Sequence, residues 1–539
     1  MDTTDDSVGM HVRDRRPMRH ALFVVAALAL PLGSRPAQSE LVLPYETDRN
    51  VVPGNAIDPL VEAKLAEEGI PPANVCSDEV FVRRVYLDMI GTLPEPREAR
   101  RFTEARRPDK RATLIESLFQ REEFADYWSL KWCDLLRVKA EFPINLWPNA
   151  VQAYHRWIHD AVRDNMPYDE FARELLTASG SNFRVPPVNF YRAIQGQEPS
   201  AIAQAVALTF MGARIEQWPE EQRANLEMVF SRVAYKATAE WKEEIVCLDP
   251  SLTGPLDVVF PDGVAMQIPP DEDPRRMFTA WLIAPDNPWF ARAMVNRAWA
   301  WLLDRGIIHE PDDIRPDNPP SNPELLAYLE REFVRSGYDL RHVFRLILNS
   351  RTYQQSSIPQ SDRPEAESLF ACYPVRRLDA EVLVDALNTI CGGPGERYSS
   401  TIPEPYTFIP TTQRTIALAD GSISSAFLEM FGRPTRDTGL FSERNNHPTD
   451  GQRLHFLNST HIQNKIERSV RLRRIMASNR RRPRRAIAGF YLLILSRLPT
   501  DEEMAAVESY AQTQDLKPMS LACDVAWSLI NTKEFLYRH

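Results

Sequence analysis

Two histidines four residues apart have the spacing of a metal-binding pair. His155 and His159 fall on a predicted helix, so both imidazoles would project from one face and could share an ion. No third ligand accompanies them, because the chain lacks an H-E-x-x-H pattern and Glu170 and Glu174 lie on the helix that follows Pro167. The pair is therefore only a weak metal candidate. Surface or packing histidines are the alternative, and we expect no cofactor.

A proline-broken loop over residues 442–461 collects acidic, basic and imidazole side chains. Glu443, Arg444 and His447 are the candidate catalytic residues, since mixed charge and imidazole on a loop suit acid–base chemistry or ligand binding. The structural alternative is that Glu443 and Arg444 pair with each other and that Asp450 caps the following helix.

Two polar residues interrupt an otherwise apolar helix. Asn296 and Arg297 lie in it, and Asp312 and Asp313 lie in the proline-rich loop that follows. All four are candidate binding residues. Because buried polar groups need partners, an ion pair from Arg297 to Asp312 or Asp313 is the structural alternative.

The run RLRRIMASNRRRPRR, residues 471–485, is basic although the protein as a whole is acidic. Arg481 and Arg482 are its candidate binding residues. For an exported protein an anionic polysaccharide or a membrane surface is the better partner, and a solvated helix face is the alternative.

Net charge and the absence of known motifs argue against several classes of protein. A formal net charge of -10 argues against a nucleic-acid partner. The chain contains no G-x-S-x-G, P-loop or Rossmann glycine pattern, so no standard hydrolase or nucleotide site is encoded. The 43 prolines against 20 glycines predict rigid connections between elements rather than flexible linkers.

These residues depend on helices for their positions. Residues 286–357 predict three helices: one after Pro288 that Gly306 closes in a left-handed conformation, a second begun by Asn322-Pro323, and a third carrying Leu340 to Leu348. Their apolar faces cannot be stable alone in water, so this stretch should be the centre of a larger helical core.

The N-terminal part of the sequence also predicts helices that pack into a core. Ser77 is a good cap for a helix that Gly91 ends, and Phe124, Trp128 and Trp132 recur at a spacing of four, which is typical of a core stripe.

The fold class is therefore mainly α, with multi-helical domains and a small β insertion around residues 235–268, where β-branched segments alternate with Pro and Gly. The proposed boundaries are a signal peptide at 1–39, a connector at 40–57, an N-terminal helical domain at 58–234, the β insertion at 235–272, a central helical domain at 273–360 and a C-terminal helical region at 361–539.

The N-terminus has the pattern of an export signal. Four arginines precede the apolar run 21–32, and Ala37-Gln38-Ser39 supplies small residues for cleavage after Ser39. The apolar run is too short to span a bilayer of about 30 Å, so a periplasmic or secreted protein is expected. An uncleaved membrane anchor is the alternative.

Six cysteines are scattered without a C-x-x-C or C-x-x-C-H motif, so neither a zinc ribbon nor covalent haem attachment is encoded. Disulfides are permitted outside the cytoplasm, and their pairing stays open. Buried free thiols are equally compatible with the apolar helices around Cys133 and Cys523.

Long motifs carry a family resemblance. The motifs NPWFARAMVNRAWAWLLDRGI, LEREFVRSGYDLRHVFRLILNSRTYQQSS and RRLDAEVLVDAL resemble the planctomycetal secreted domain of unknown function numbered fifteen-fifty-three. VFVRRVYLDMIGTLPEPREARRF and YHRWIHDAVRDNMPYDEFARELL are similar to its usual upstream companion, number fifteen-forty-nine. The resemblance implies an exported, mainly helical protein of a family associated with cytochrome-c-type domains, and it implies no established activity.

The chain departs from that family at one informative place. Many relatives carry a C-x-x-C-H motif after the segment matching LTFMGARI, whereas this chain continues with Glu216-Gln217-Trp218-Pro219. A haem role is thus not implied for this member.

The leading hypothesis is an exported cell-envelope protein, a non-catalytic binding or assembly component without haem. Its partner would be an envelope protein or an anionic polysaccharide, with no nucleic acid involved and contact with a membrane only if the signal is uncleaved. The alternative is an extracellular enzyme acting on carbohydrate or another anionic polymer through the loop at 442–461. Convergence of Glu443, Arg444 and His447 with the Arg297 region in a cleft would favour the enzyme.

Overall fold

The computed structural model describes residues 41–48, 55–393, 395–403, 406–410, 412–514 and 516–539. The predicted signal peptide lies outside these residues. The chain is 53% helical with only short strands, so the mainly α prediction is confirmed. No helix in the described ranges combines the length and apolarity needed to cross a membrane.

The first ten helices run from α1 to α10. Their bounds are Ile57–Glu67, Asp78–Ile90, Pro96–Glu104, Lys110–Leu118, Glu122–Leu135, Pro148–Arg163, Tyr168–Thr177, Asn189–Arg192, Pro199–Val206 and Glu220–Phe230. A π-helical turn, Ala207–Met211, continues α9 directly. The predicted cap is confirmed, since the Ser77 hydroxyl accepts a hydrogen bond from the Val80 amide at 3.3 Å and Gly91 ends α2 with a φ of 60°.

The remaining helices run from α11 to α25. Their bounds are Pro274–Leu282, Phe290–Leu303, Pro323–Arg335, Leu340–Leu348, Arg351–Gln354, Glu365–Ser368, Ala380–Cys391, Ala426–Met430, Asp450–Asn458, Thr460–Glu467, Val470–Ser478, Pro483–Ile494, Asp501–Gln514, Pro518–Ile530 and Lys533–Leu536. Short 3₁₀ turns occupy Pro186–Val188, Ile215–Gln217, Thr415–Ala417 and Phe441–Glu443.

The prediction that Gly306 closes α12 in a left-handed conformation is wrong. Asp304 holds that position, with a φ of 61°. Gly306 is required for close approach instead, because a Cβ atom there would collide with the carbonyl oxygen of Ile308.

Within the described ranges, nine short strands form four small antiparallel sheets. The strands β1 to β9 are Glu46–Thr47, Val75–Cys76, Gly180–Ser181, Val233–Ala237, Glu244–Leu248, Leu256–Val259, Ala265–Ile268, Arg376–Arg377 and Tyr537–Arg538. Their orders are β1-β2, β3-β5-β4, β6-β7 and β8-β9. Strands β4 to β7 confirm the β insertion predicted around residues 235–268.

The core joins the two halves of the sequence through aromatic side chains. Trp128 of α5 packs on Phe344 of α14 with ring centroids 4.3 Å apart, and on Trp301 of α12 at 5.4 Å. Phe124, Trp128 and Trp132 are each 3% exposed, so the predicted stripe is core packing. Helix α12 packs against α13, α14 and the π-helical turn, which places the central stretch inside this core.

Candidate functional site

A cavity of about 470 Å³ opens where α5, the end of α12, β8, β9 and the segment 434–448 meet. We call it the central cleft. Its volume is in the range of ligand sites. Charged and imidazole side chains line much of it: Lys131, Asp134, Asp304, Arg305, His309, Glu310, Glu367, Arg376, Arg377, Asp379, Arg444, His447 and Arg538.

The pairing of strands β8 and β9 places two of the arginines at the cleft. In the antiparallel register of β8 and β9, Arg376 lies opposite Arg538, so residues far apart in the sequence become neighbours. Arg376 binds the Asp88 carboxylate at 2.9 Å and Arg538 approaches the same oxygen at 3.2 Å. Tyr353 and Tyr373 each donate a hydrogen bond to the other Asp88 oxygen at 2.8 Å.

Asp379 is the second buried carboxylate of the cleft. Lys131 and the Tyr127 hydroxyl each donate to it at 2.9 Å, and Arg538 does so at 3.2 Å. Burial opposes its ionisation, but Lys131, Arg538 and Arg444 outweigh burial and hold the pKa of Asp379 well below its usual value.

Arg444 bridges two further carboxylates. It donates to Asp134 at 2.6 Å and to Glu381 at 2.7 Å, while Arg436 pairs with Asp134 at 2.9 Å and Arg433 with Glu381 at 3.4 Å. Burial alone would favour the neutral form of Glu381, but Arg444 and then Arg433 lower its pKa to about 2. Asp379 and Glu381 are therefore charged at neutral pH.

Three basic groups of the cleft could donate further hydrogen bonds. Arg377 is 4% exposed and donates only to backbone carbonyl oxygens, those of Leu378, Phe431, Asn445 and Asn446. Arg305 is half-buried, and its Nε is buried without a hydrogen-bond partner among the described residues. Lys131 donates one hydrogen bond, to Asp379. Burial, followed by repulsion from Arg444, lowers the pKa of Lys131 to about 8.

The residues predicted from the central stretch lie behind the cleft rather than in it. Asn296 makes two 2.9 Å hydrogen bonds with the backbone of Ile308, and Arg297 binds Asp312 at 2.8 Å. Arg297 also donates to two carbonyl oxygens of the π-helical turn. The bridge expected from the structural interpretation is present, with Asp312 as the partner. Asp313 pairs with Arg315 at 3.1 Å nearer the surface.

The loop at 442–461 contributes to the cleft unevenly. Arg444 and His447 line the cleft. The interpretation that Glu443 pairs with Arg444 is wrong, because Glu443 accepts hydrogen bonds from Thr435, Asp437 and Thr438 and so fastens the preceding turn.

The proposed helix cap in this loop also needs correction. Thr449, not Asp450, caps α19, in a capping box with Gln452. Asp450 is exposed and pairs with Arg453 at 3.3 Å.

His155 and His159 lie together at a second cavity of about 450 Å³. Their ring centroids are 6.1 Å apart, and His159 pairs with Asp126 at 3.3 Å. Burial and the nearby Arg436 lower the pKa of His155 to about 3, whereas the hydrogen bond that the His159 ring donates to Asp126 raises the pKa of His159. No group of three or more His, Cys, Asp or Glu side chains in the described ranges is arranged to hold a metal ion.

Arg481 and Arg482 lie fully on the surface, in the turn between α21 and α22. The six cysteines are all described and none is in a disulfide; Cys133 and Cys523 are buried.

Sequence reasoning missed Lys131, Arg305, Arg377, Asp379 and Arg538. One local signal was available for part of the set, because RRLDAE at residues 376–381 places two basic residues before two acidic ones within an apolar context. The other cleft residues come from distant segments whose proximity no local pattern encodes.

The fold and cleft define a mainly helical protein with an arginine-rich cavity at the junction of its N-terminal and C-terminal parts. Residues 56–239 match the family described as Protein of unknown function (DUF1549), and residues 274–511 match Protein of unknown function (DUF1553). The chain belongs to the family that combines these two domains. Neither the curated proteins nor the solved structures gave a match.

Proposed function

We propose that this protein is an exported binding protein of the cell envelope that takes an anionic ligand in the central cleft. Arg305, Arg377 and Lys131 carry the proposal, because they line one cavity. Arg305 has an Nε without a partner among the described residues, and Lys131 and Arg377 form fewer hydrogen bonds there than their N–H groups allow. A carboxylate or phosphate would satisfy them, since guanidinium groups bind both bidentately.

The charge balance of the surrounding network supports the same conclusion. Six basic residues form ion pairs with the buried carboxylates of Asp88, Asp379 and Glu381 and with the half-buried carboxylate of Asp134: Lys131, Arg376, Arg433, Arg436, Arg444 and Arg538. Arg376 also lies 3.8 Å from the exposed Asp304. Arg377 adds a buried cation with carbonyl partners only. Burial lowers the pKa of Arg377 to about 10 although Asp379 lies near enough to oppose the shift, so an incoming anion would stabilise its charged form.

The distribution of acidic residues points the same way. Asp304 and Glu367 are exposed, and Glu310 is drawn towards Arg214 at 3.0 Å. The arginines 376, 377 and 538 are buried. The cleft therefore has exposed carboxylates at its edge, and its interior combines Asp379 with buried arginines that could receive an anion.

The position of the cleft favours a binding role that depends on both family domains. Lys131 and Asp134 come from the segment matching the first domain, and Arg305, Arg377 and Arg444 come from the second. Ligand sites commonly form at such junctions. We therefore expect the ligand to stabilise the docking of the two domains.

Calorimetric titration tests the proposal. Wild-type protein should bind galacturonate, citrate or inorganic phosphate and fail to bind neutral galactose. Arg305→Gln should weaken binding of the anion by about tenfold, the equivalent of one charged hydrogen bond. Arg315→Gln is the matched control, since Arg315 is 40% exposed in the same region and already pairs with Asp313. Equal binding of galactose and galacturonate, or equal losses in both variants, would refute an anion site.

Export is proposed from the N-terminal sequence. The measurement is the N-terminal sequence of the protein recovered from the envelope fraction of the cells that produce it: a start at Glu40 supports cleavage after Ser39. Recovery of the intact N-terminus in the cytoplasmic fraction would contradict the assignment.

The enzyme remains a second candidate because Arg444 and His447 line the same cavity as Lys131, whose lowered pKa suits proton transfer. The test is release of new chain ends from polygalacturonate by wild type and by Lys131→Met. Release by wild type that the variant loses would support catalysis; no release by either protein would leave binding as the function.

A further inference from the structure

The surface formed by α21, α22 and their connecting turn differs from the rest of the molecule in charge. Residues 468–485 contain nine arginines and no acidic residue, in a chain of net charge -10. Eight of the nine are exposed: Arg468, Arg473, Arg474, Arg480, Arg481, Arg482, Arg484 and Arg485. We call this the arginine surface.

Most of these side chains are unpaired. Arg471 binds Glu95, and Arg484 lies 3.3 Å from Glu508. Arg473 donates to backbone carbonyl oxygens of residues 468 and 469. The other six make no side-chain hydrogen bond or ion pair with any part of the chain that the structure describes. Like charges gathered without partners repel one another, so a polyanion would be attracted to them.

The surface is ordered by its packing. Leu472 is buried beneath it, and Gly489 lets α22 approach α21 closely, since a Cβ atom at position 489 would lie 3.0 Å from Ile475. The turn is fixed by a 2.9 Å hydrogen bond from the Asn479 side chain to the Ile475 carbonyl oxygen. The arginines are therefore presented on a folded element, which limits the entropy lost on binding.

We infer that the arginine surface binds an extended carboxylated or sulfated polysaccharide, at a site separate from the central cleft. The residue type fits this ligand, because guanidinium pairs bidentately with both groups and the stretch contains no lysine. A polymer can contact several arginines at once, which a small anion cannot do.

Two other polyanions fit less well. Membrane-binding helices insert large apolar or aromatic side chains, and Val470 is the exposed large hydrophobic residue of this surface. Proteins that bind single-stranded nucleic acid stack bases on aromatic side chains, and residues 468–485 contain none. Both become outcomes of the test.

The experiment measures binding of full-length protein to immobilised polygalacturonate, dextran sulfate, neutral dextran and DNA, and to phosphatidylglycerol vesicles. We expect binding to the two acidic polysaccharides that weakens with salt, and none to dextran. The triple variant R480Q/R481Q/R482Q should lose about tenfold or more in affinity, since each exposed contact contributes a modest amount.

The matched control is R173Q/R276Q/R331Q, which removes three exposed arginines without ion pairs among the described residues, on helices α7, α11 and α13 away from the arginine surface. It changes the net charge equally, so it should lose less than about twofold. Equal losses in both triples would mean a general charge effect and overturn the site. Tighter binding to DNA or vesicles than to polysaccharide would overturn the ligand class.

Arg305→Gln separates this inference from the function proposed for the cleft. It should reduce binding of monomeric galacturonate and leave polymer binding intact. If Arg305→Gln loses polymer binding and the arginine-surface triple variant retains it, the polymer binds in the cleft and the surface site is refuted. If wild-type protein does not bind monomeric galacturonate and the arginine-surface triple variant loses polymer binding, only the function proposed for the cleft is refuted.

Discussion

Arg297 and Arg305 lie eight residues apart, yet one stabilises the fold and the other lines a site. Arg297 is fully buried and uses its guanidinium on Asp312 and two carbonyl oxygens. Arg305 lines the central cleft with its Nε unpartnered in the described structure. The two arginines differ both in burial and in the partners that the fold supplies, so residue type alone does not distinguish a structural arginine from one that lines a site.

The largest effect should come from breaking the structural pair. Asp312→Asn removes the counter-charge of Arg297, so the free energy of unfolding should fall by about 3–5 kcal/mol in denaturant titration. Asp313→Asn is the control, since its partner Arg315 is 40% exposed, and it should cost about 1 kcal/mol or less. Comparable losses in both variants would remove the distinction.

The ion pairs around the cleft should make the stability of the protein depend on pH. Glu381 has a pKa of about 2 in the folded protein, below its unfolded value, so its stabilisation is present above pH 4.5 and is lost as pH falls towards 2. Glu381→Gln should therefore lower the free energy of unfolding by about 2–3 kcal/mol at pH 7 and by little near pH 2. A constant difference across that range would contradict the ionised network.

His155, at the second cavity, is neutral in the folded protein at neutral pH. Its folded pKa of about 3 is below the unfolded value of 6.5, so unfolding takes up a proton and stability falls as pH drops from 6.5 towards 3. Relative to its own value at pH 7.5, His155→Gln should retain about 1–2 kcal/mol more stability than wild type at pH 5. Parallel pH profiles for the two proteins would exclude a buried neutral imidazole.

The smallest effect on stability is expected at Arg305. Arg305→Gln should change the free energy of unfolding by about 0.5 kcal/mol or less, because no described ion pair is lost. Its thermal stabilisation by citrate should be reduced while that of Arg315→Gln is retained. A loss of several kcal/mol would show that Arg305 is a structural residue like Arg297.

Much of the fold was predictable because its signals are local. The cap at Ser77, the helix start at Asn322-Pro323 and the aromatic stripe in α5 follow from short-range backbone and side-chain preferences. The end of α12 was predicted incorrectly, because Asp304 adopts the left-handed conformation there, whereas glycine is required at 306 by the close approach of the Ile308 carbonyl oxygen.

The candidate site was only partly predictable. Arg444 and His447 were singled out from the composition of their loop, and both line the cleft. Glu443 was singled out on the same grounds, yet it fastens a turn. Composition thus found the loop but could not assign directions to its side chains, since these depend on Asp134 and Glu381 of other helices.

The sequence by itself determined the helical class, the β insertion and the basic character of residues 471–485, because periodicity, capping and composition act over a few residues. The family was identified from the resemblance of long motifs. Only the tertiary structure decided which charges meet. Asp88, Asp379, Arg376 and Arg538 become one network when β9 pairs with β8. Whether an arginine is satisfied or free depends on such long-range neighbours, and no local pattern records them.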